Sequence, residues 1–356
     1  ARLQSHQPWF RTKTLDWRRK NGYIILIMPN LKSTTKLSTM FCFIVVGFLW
    51  ITFPVFAGGL AKYGGEFMAT GGGARPLGMG GAYTALSEDA YAIFWNPAGL
   101  NSIRHPQLGL MHSERFAGEV DYDVAGIALP QPDNSVIGFG IIRLGVNNIP
   151  FTRLENPGEP ISEDNRVEVD KIVTEGEYAF YAAKSGQFRN WSWGVAPKLV
   201  FKHIGSEQQA YGLGFDAGIL GRPIEKLPIT AGLAVRDVLG TVIAWDTGHT
   251  EVIVSTIRFG IAAKINLPAL EAKIIPVADV DYRLEAIGES NAFASHIGLE
   301  YLIRDSIGLR IGSDDGELTF GGGLNLNPLS IDYAFIDHDA LGETHRVSIT
   351  AHWNRH

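Results

Sequence analysis

What most limits the fold of this chain is a two-residue period that recurs over most of its length. From Trp191 to Lys202, the residues Trp191, Trp193, Val195, Pro197, Leu199 and Phe201 alternate with Ser192, Gly194, Ala196, Lys198, Val200 and Lys202. Ile257, Phe259, Ile261, Ala263 and Ile265 alternate with Arg258, Gly260, Ala262 and Lys264, and Leu329, Ile331, Tyr333 and Phe335 with Ser330, Asp332 and Ala334. A helix cannot hold such a set on one side, whereas a strand sends successive side chains to opposite faces. Turn-forming stretches such as Gln131-Pro132-Asp133-Asn134, Ser313-Asp314-Asp315-Gly316 and Asn327-Pro328 punctuate the runs. The pattern predicts strands at 108–113, 120–129, 135–145, 175–184, 190–204, 209–220, 227–238, 253–266, 272–284, 291–304, 306–313, 316–326, 328–336 and 344–353. That is an all-β chain of about fourteen strands.

Two architectures use strands with one apolar and one small or polar face. A sandwich hides the apolar face against a second sheet. A transmembrane antiparallel barrel turns it to lipid, with Lys198, Lys202, Arg258, Lys264, Arg310, Asp332 and Arg346 on the lumenal side. Those charges suit the wet face of either. The last strand favours the barrel: Val347, Ile349, Ala351 and Trp353 form an apolar stripe closing on an aromatic, as outer-membrane barrels commonly end, although Asn354-Arg355-His356 overhangs it. This stripe is the candidate signal for the barrel-assembly machinery. A barrel also leaves no open edge along a long, Gly-rich sheet.

The front of the chain is a different physical object. Eight of the 31 Lys and Arg residues but only Asp16 of the 37 acids lie in residues 1–57, leaving 23 basic against 36 acidic residues after it. From Met28, Lys32 and Lys36 form a positive n-region, Phe41–Phe53 an apolar h-region, and Val55 with Ala57 a small-residue cleavage site. The expectation is a signal peptide over 28–57, cut after Ala57 and directing export across an inner membrane. An uncleaved anchor is the alternative, since Phe41–Leu60 is nearly apolar over the ~20 residues a spanning helix needs. Pro54 and Gly58-Gly59 favour cleavage. Residues 1–27 read as an upstream extension outside the fold.

Composition removes other classes. Charged residues are 19%, Gly numbers 41, and Cys42 is the single cysteine, which excludes a disulfide framework and Cys-based zinc. Net charge is −6 with no basic run in the body, so nucleic acid is not an expected partner. Gly78-Met79-Gly80-Gly81 lacks the leading strand and the Gly-Lys-Ser/Thr of a phosphate loop. No G-x-S-x-G, H-E-x-x-H or C-x-x-C motif is present. Asp337-His338-Asp339 reads as a solvated turn in preference to a metal site. The expectation is a non-enzymatic chain with no catalytic, cofactor or metal residues.

The stretch before the strands is the most distinctive. It runs Gly71-Gly72-Gly73-Ala74-Arg75-Pro76-Leu77-Gly78-Met79-Gly80-Gly81-Ala82, then Glu88-Asp89-Ala90, then Phe94-Trp95-Asn96-Pro97-Ala98-Gly99-Leu100. This block resembles the N-terminus of the PorV/PorQ family, within the wider superfamily of FadL-type outer-membrane proteins. The ending, from Gly316-Glu317-Leu318 through Asp332-Tyr333 to Thr344–Ser348, is similar to the final hairpins of that family. The resemblance implies a fourteen-stranded barrel in the bacterial outer membrane over 106–353. In the superfamily the segment with Asn-Pro-Ala folds inward as a hatch, which here is residues 58–105 with Gly78, Gly80, Gly81, Asn96, Pro97, Ala98 and Gly99 as its motif. The alternative is that the block starts the first strand and caps the rim.

Two functions follow from the resemblance. Similarity to PorV implies an accessory of type IX-like secretion, whose partners are exported cargo or other secretion-system proteins held at the outer loops. Similarity to FadL implies a transporter of hydrophobic small molecules, with the hatch gating the lumen and an apolar pocket holding the ligand. Outer-membrane lipid surrounds the barrel in both. Val146–Glu175, with Glu155, Glu159, Glu163, Asp164, Glu168 and Asp170 beside Pro150, Pro157 and Pro160, reads as a long outer loop, and Gly240–Glu251 as a second. Each is either a contact surface or a passive solubilising loop.

Overall fold

The structure is a computed structural model that describes residues 65–115, 118–284, 292–338 and 342–353, and a two-residue pairing of Arg19–Lys20 with Tyr23–Ile24. That pairing belongs to a first unit, Ala1–Pro54; all that follows concerns the second, Val55–His356. The signal-peptide reading of 28–57 lies outside the described residues.

Fourteen strands follow one another around a single antiparallel sheet. They are β1 (Gln107–Arg115), β2 (Val120–Pro130), β3 (Val136–Leu154), β4 (Val167–Phe188), β5 (Trp191–Ile204) and β6 (Gln208–Gly221). Next come β7, which runs Ile229–Arg236 and resumes at Thr241–Trp245, and β8, formed by Thr250–Ile253, Thr256–Ala263 and Ile265–Leu267. Then follow β9 (Ala272–Arg283), β10 (Ala292–Ile303), β11 (Ile307–Asp314), β12 (Glu317–Asn325), β13 (Leu329–His338) and β14 (Gly342–His352). The two halves of β7 pair with the same partner, β6; the first two pieces of β8 pair with β7, and Thr256–Ala263 and Ile265–Leu267 both pair with β9, so each interruption is a break within one strand.

The ring closes where β14 meets β1: Val347 lies opposite His112, Ile349 opposite Leu110 and Ala351 opposite Leu108. The sheet therefore has no free edge and no facing sheet, which removes the sandwich. The alternation read from sequence sets the two faces. Leu199, Leu213, Phe259, Leu309 and Val347 stand exposed on the outside, whereas Lys198, Lys202, Arg258, Arg310, Asp332 and Arg346 are buried on the inside. Lys264 differs: it is exposed near the short-turn end and reaches inward only through its ion pair with Glu88. An apolar outer belt above a polar interior is the arrangement of a barrel that sits in lipid.

Three expectations need correction. The loop predicted over Val146–Glu175 is mostly strand: β3 and β4 continue past the ring as a two-stranded ribbon, with register shifts at Val146/Ile149 and Phe151/Thr152. Its backbone stays paired although neither face is covered, so side-chain alternation was under no pressure to mark it. The loop predicted over Gly240–Glu251 likewise is largely the hairpin joining β7 to β8. The turn predicted around Asp337-His338-Asp339 is narrower than expected, because β13 runs through His338; residues 339–341 lie outside the described residues.

Candidate functional site

Residues 66–102 lie inside the ring. They form short helical turns at Glu66–Ala69, Ala74–Leu77 and Ala92–Trp95 and a 3-10 helix at Pro97–Ser102. The lumenal wall is cut to receive them. A Cβ on wall residue Gly194 would lie 2.2 Å from the Pro97 carbonyl carbon, and one on Gly312 2.3 Å from that of Met79. Neither site tolerates any side chain, which explains why glycine recurs on the inward face of these strands.

The motif residues take separate places along this packing. Gly80 has φ 65° and approaches β11 so closely that a Cβ would meet Ser313 O at 2.3 Å; its N–H donates to Thr319 Oγ1 at 2.9 Å. Gly81 offers its carbonyl to Arg258 Nη1 at 3.1 Å. Gly78 lies against Gly321 of β12. Asn96 is fully buried and caps the 3-10 helix, its Oδ1 accepting from Ala98 N, while Nδ2 donates to Thr84 O at 3.0 Å and to Ile219 O on β6 at 3.1 Å. Pro97 occupies the first helical turn, where its missing N–H costs nothing. Gly99 passes Ser87 O within a distance no Cβ permits. So these residues do not converge on one pocket. They fix the segment at several points.

The wall answers with charge. Asp279 Oδ2 accepts from the backbone N–H groups of Tyr83 and Thr84, each at 2.9 Å. Asp281 binds Arg258 through both carboxylate oxygens and Arg236 at 3.0 Å, while Arg236 Nη1 donates to Ala69 O. Arg258 also lies 5.5 Å from the Trp95 ring centroid, and Trp95 Nε1 donates to Gly72 O at 2.7 Å. Nearer the short-turn end, Glu300 takes Arg75 from the segment (2.7 and 3.1 Å) and Arg310 from the wall (2.7 Å), and Arg310 continues to Asp332 at 2.8 Å. Arg75 reaches Glu88 at 3.0 Å, and Glu88 pairs with Lys264. Burial would draw the Arg75 guanidinium down, but Glu300, Tyr83 and Glu88 outweigh it and hold it well above its usual value.

Sequence reading identified the lumenal cations but passed over Asp279, Asp281 and Glu300. The signal was present in Ala278-Asp279-Val280-Asp281-Tyr282, where acids alternate with residues bound for the outer face. The terminal stripe is outward at Val347, Ile349 and Trp353, with Trp353 one residue beyond the end of β14 and its N–H on Pro106 O.

Cavities open at the short-turn end and on the outer wall. One of about 390 Å³ is lined by Arg75, Glu88, Lys264, Glu300, Arg310 and Asp332. Another, of about 520 Å³, touches Ser87, Asn101, Arg104, Asn190, Arg222 and Glu225. A third, about 470 Å³ and apolar, is lined mostly by outward residues including Leu110, Ala125, Ile141, Val347 and Ile349.

No family model matches the sequence. No curated protein matches it either. Solved structures do match in fold. The toluene transporter TodX of P. putida superposes with a TM-score of 0.54 at 12% identity, over 80% of this chain and 99% of that one. A deletion mutant of TodX, described as a monoaromatic hydrocarbon channel, gives 0.51 at the same identity and coverage. The closed antiparallel ring thus shares its fold with that transporter.

Proposed function

We propose that the protein is an outer-membrane channel of FadL/TodX type, without covalent chemistry, that passes hydrophobic small molecules from outside to periplasm. The observation that carries this is the segment 66–102, enclosed by the ring and held there by hydrogen bonds and ion pairs that can be broken and remade. In this reading it is the gate. The fold shared with TodX supports a channel in preference to a holder of proteins. The test is uptake of a lipophilic compound by cells carrying Asn96→Ala or lacking residues 71–100. Changed uptake with a correctly assembled barrel is expected; unchanged uptake would overturn the reading.

One observation favours the secretion accessory that resemblance to PorV suggests. The ribbon beyond the ring exposes Val167, Val169 and Ile172, more apolar surface than a solubilising loop needs. Removing residues 150–170 should then release an exported partner protein. Retention of every partner would remove that reading and leave transport standing.

A further inference from the structure

A patch of buried donors on the inner wall beside the closing seam takes no part in holding the segment. Arg346 on β14 is 4% exposed, and its Nε–H has no partner in the protein. Among the described residues Arg346 makes no ion pair. By contrast Lys198, Arg236, Arg258 and Arg310, equally buried on the same inner face, each hold a carboxylate. Directly across the seam stands Ser113 of β1, whose Oγ is buried without a partner. Thr344, two residues before Arg346 and on the same face, has a buried Oγ1 in the same condition. The charged groups that act on Arg346 are Arg115, Asp314 and Glu317. Asp314 is engaged by His296 Nδ1 at 2.8 Å, while Arg115 and Glu317 carry opposite charges and each has a contact of its own.

An unpaired buried guanidinium is costly, and so is each buried hydroxyl left without a partner. Three such groups sit on neighbouring positions of β14 and β1. What they share is donor capacity: a planar fork of N–H groups and two rotatable O–H groups, all facing one lumenal patch. Guanidinium and hydroxyl donors together are suited to an oxyanion. A carboxylate would be saturated by the fork alone, whereas a tetrahedral anion has further oxygens for Ser113 and Thr344.

We propose that Arg346, Ser113 and Thr344 form a binding site for a phosphate-type oxyanion, either inorganic phosphate or the phosphoryl group of a small ester. The site lies above the point where the internal segment meets the seam, since Ser348, the next inward residue of β14, accepts from Ala74 N at 3.0 Å. It goes beyond passage of apolar molecules, because it gives the lumen a preference for negative charge that no apolar solute uses.

The test is calorimetric titration of the detergent-purified full barrel with inorganic phosphate and, separately, with glycerol 3-phosphate. Saturable binding of phosphate, weakened about tenfold or more by Arg346→Gln and partly kept by Arg346→Lys, is the expected result. Binding of the ester alone, with the same dependence on Arg346, would assign the site to a phosphoryl group on a small molecule. Should Arg346→Gln fail to give the heat-dependent gel shift of a folded barrel, the Ser113→Ala/Thr344→Val pair must weaken binding in its place. Binding of neither probe, or binding that all these substitutions leave unchanged, overturns the proposal.

Discussion

At the scale of single residues, the internal segment is held by groups whose loss has calculable consequences. Asn96 makes three hydrogen bonds, one of them to the wall, and replacing it leaves two buried carbonyls and an amide N–H unmatched. Asn96→Ala should lower the stability of the packed segment by about 2–3 kcal/mol, seen as faster hydrogen exchange at Ala98 and its neighbours. Gly80→Ala meets both a left-handed backbone and Ser313 O, so its effect should be larger and appear as protease cleavage within 74–90. Asp89 offers a test by pH. Burial lifts its carboxyl to about 6, against the pull of Arg75 and the hydroxyl of Tyr83. A carboxyl raised above its unfolded value favours the packed state fully at pH below that value, and loses the contribution as pH rises through about 6. Glu88 has the opposite sign: burial opposes its ionisation, but Arg75 and Lys264 prevail and keep it lowered, so its contribution fades only in acid. Exchange protection over 82–95 should therefore fall between about pH 4 and pH 6, and Asp89→Asn should flatten that fall.

At the scale of elements, what could be read from sequence depends on whether two faces differ. The barrel strands separate lipid from lumen, so Trp191–Lys202 and Leu329–Phe335 announce themselves by period two and their bounds fall within a few residues of those observed. The ribbon beyond the ring has solvent on both sides. Its Val167-Glu168-Val169-Asp170-Lys171 run and its prolines therefore read as loop, although Thr152 pairs with Val169 and Pro150 with Ile172. The ties between wall and segment were illegible for another reason. Arg75 and Glu300 are 225 positions apart, and no local pattern joins them. Because β3 and β4 remain paired within the ring from Val136 to Val146, excising 150–170 should leave the barrel intact, with an unchanged gel shift between heated and unheated samples.

At the scale of the whole molecule, the face assignment can be checked at two adjacent positions. Ile349 is exposed in the apolar belt, while Ser348 beside it is buried against the segment. Ile349→Lys should cost about 2–4 kcal/mol of barrel stability in lipid, if it lies near mid-bilayer. Ser348→Ala should cost only about 1 kcal/mol, the loss of one hydrogen bond, as read by urea titration in vesicles. The seam between β14 and β1 also fixes an order of events. The residues wrapped by the ring come before its first strand in the chain, and the strand that seals it is the last. Ala74 and Ser348, joined by a hydrogen bond, stand 274 positions apart on either side of the barrel sequence. A finished ring whose wall glycines leave no room for a Cβ cannot be threaded afterwards, so the filling has to be in place while the wall is still open, as a ship is built before its bottle is blown.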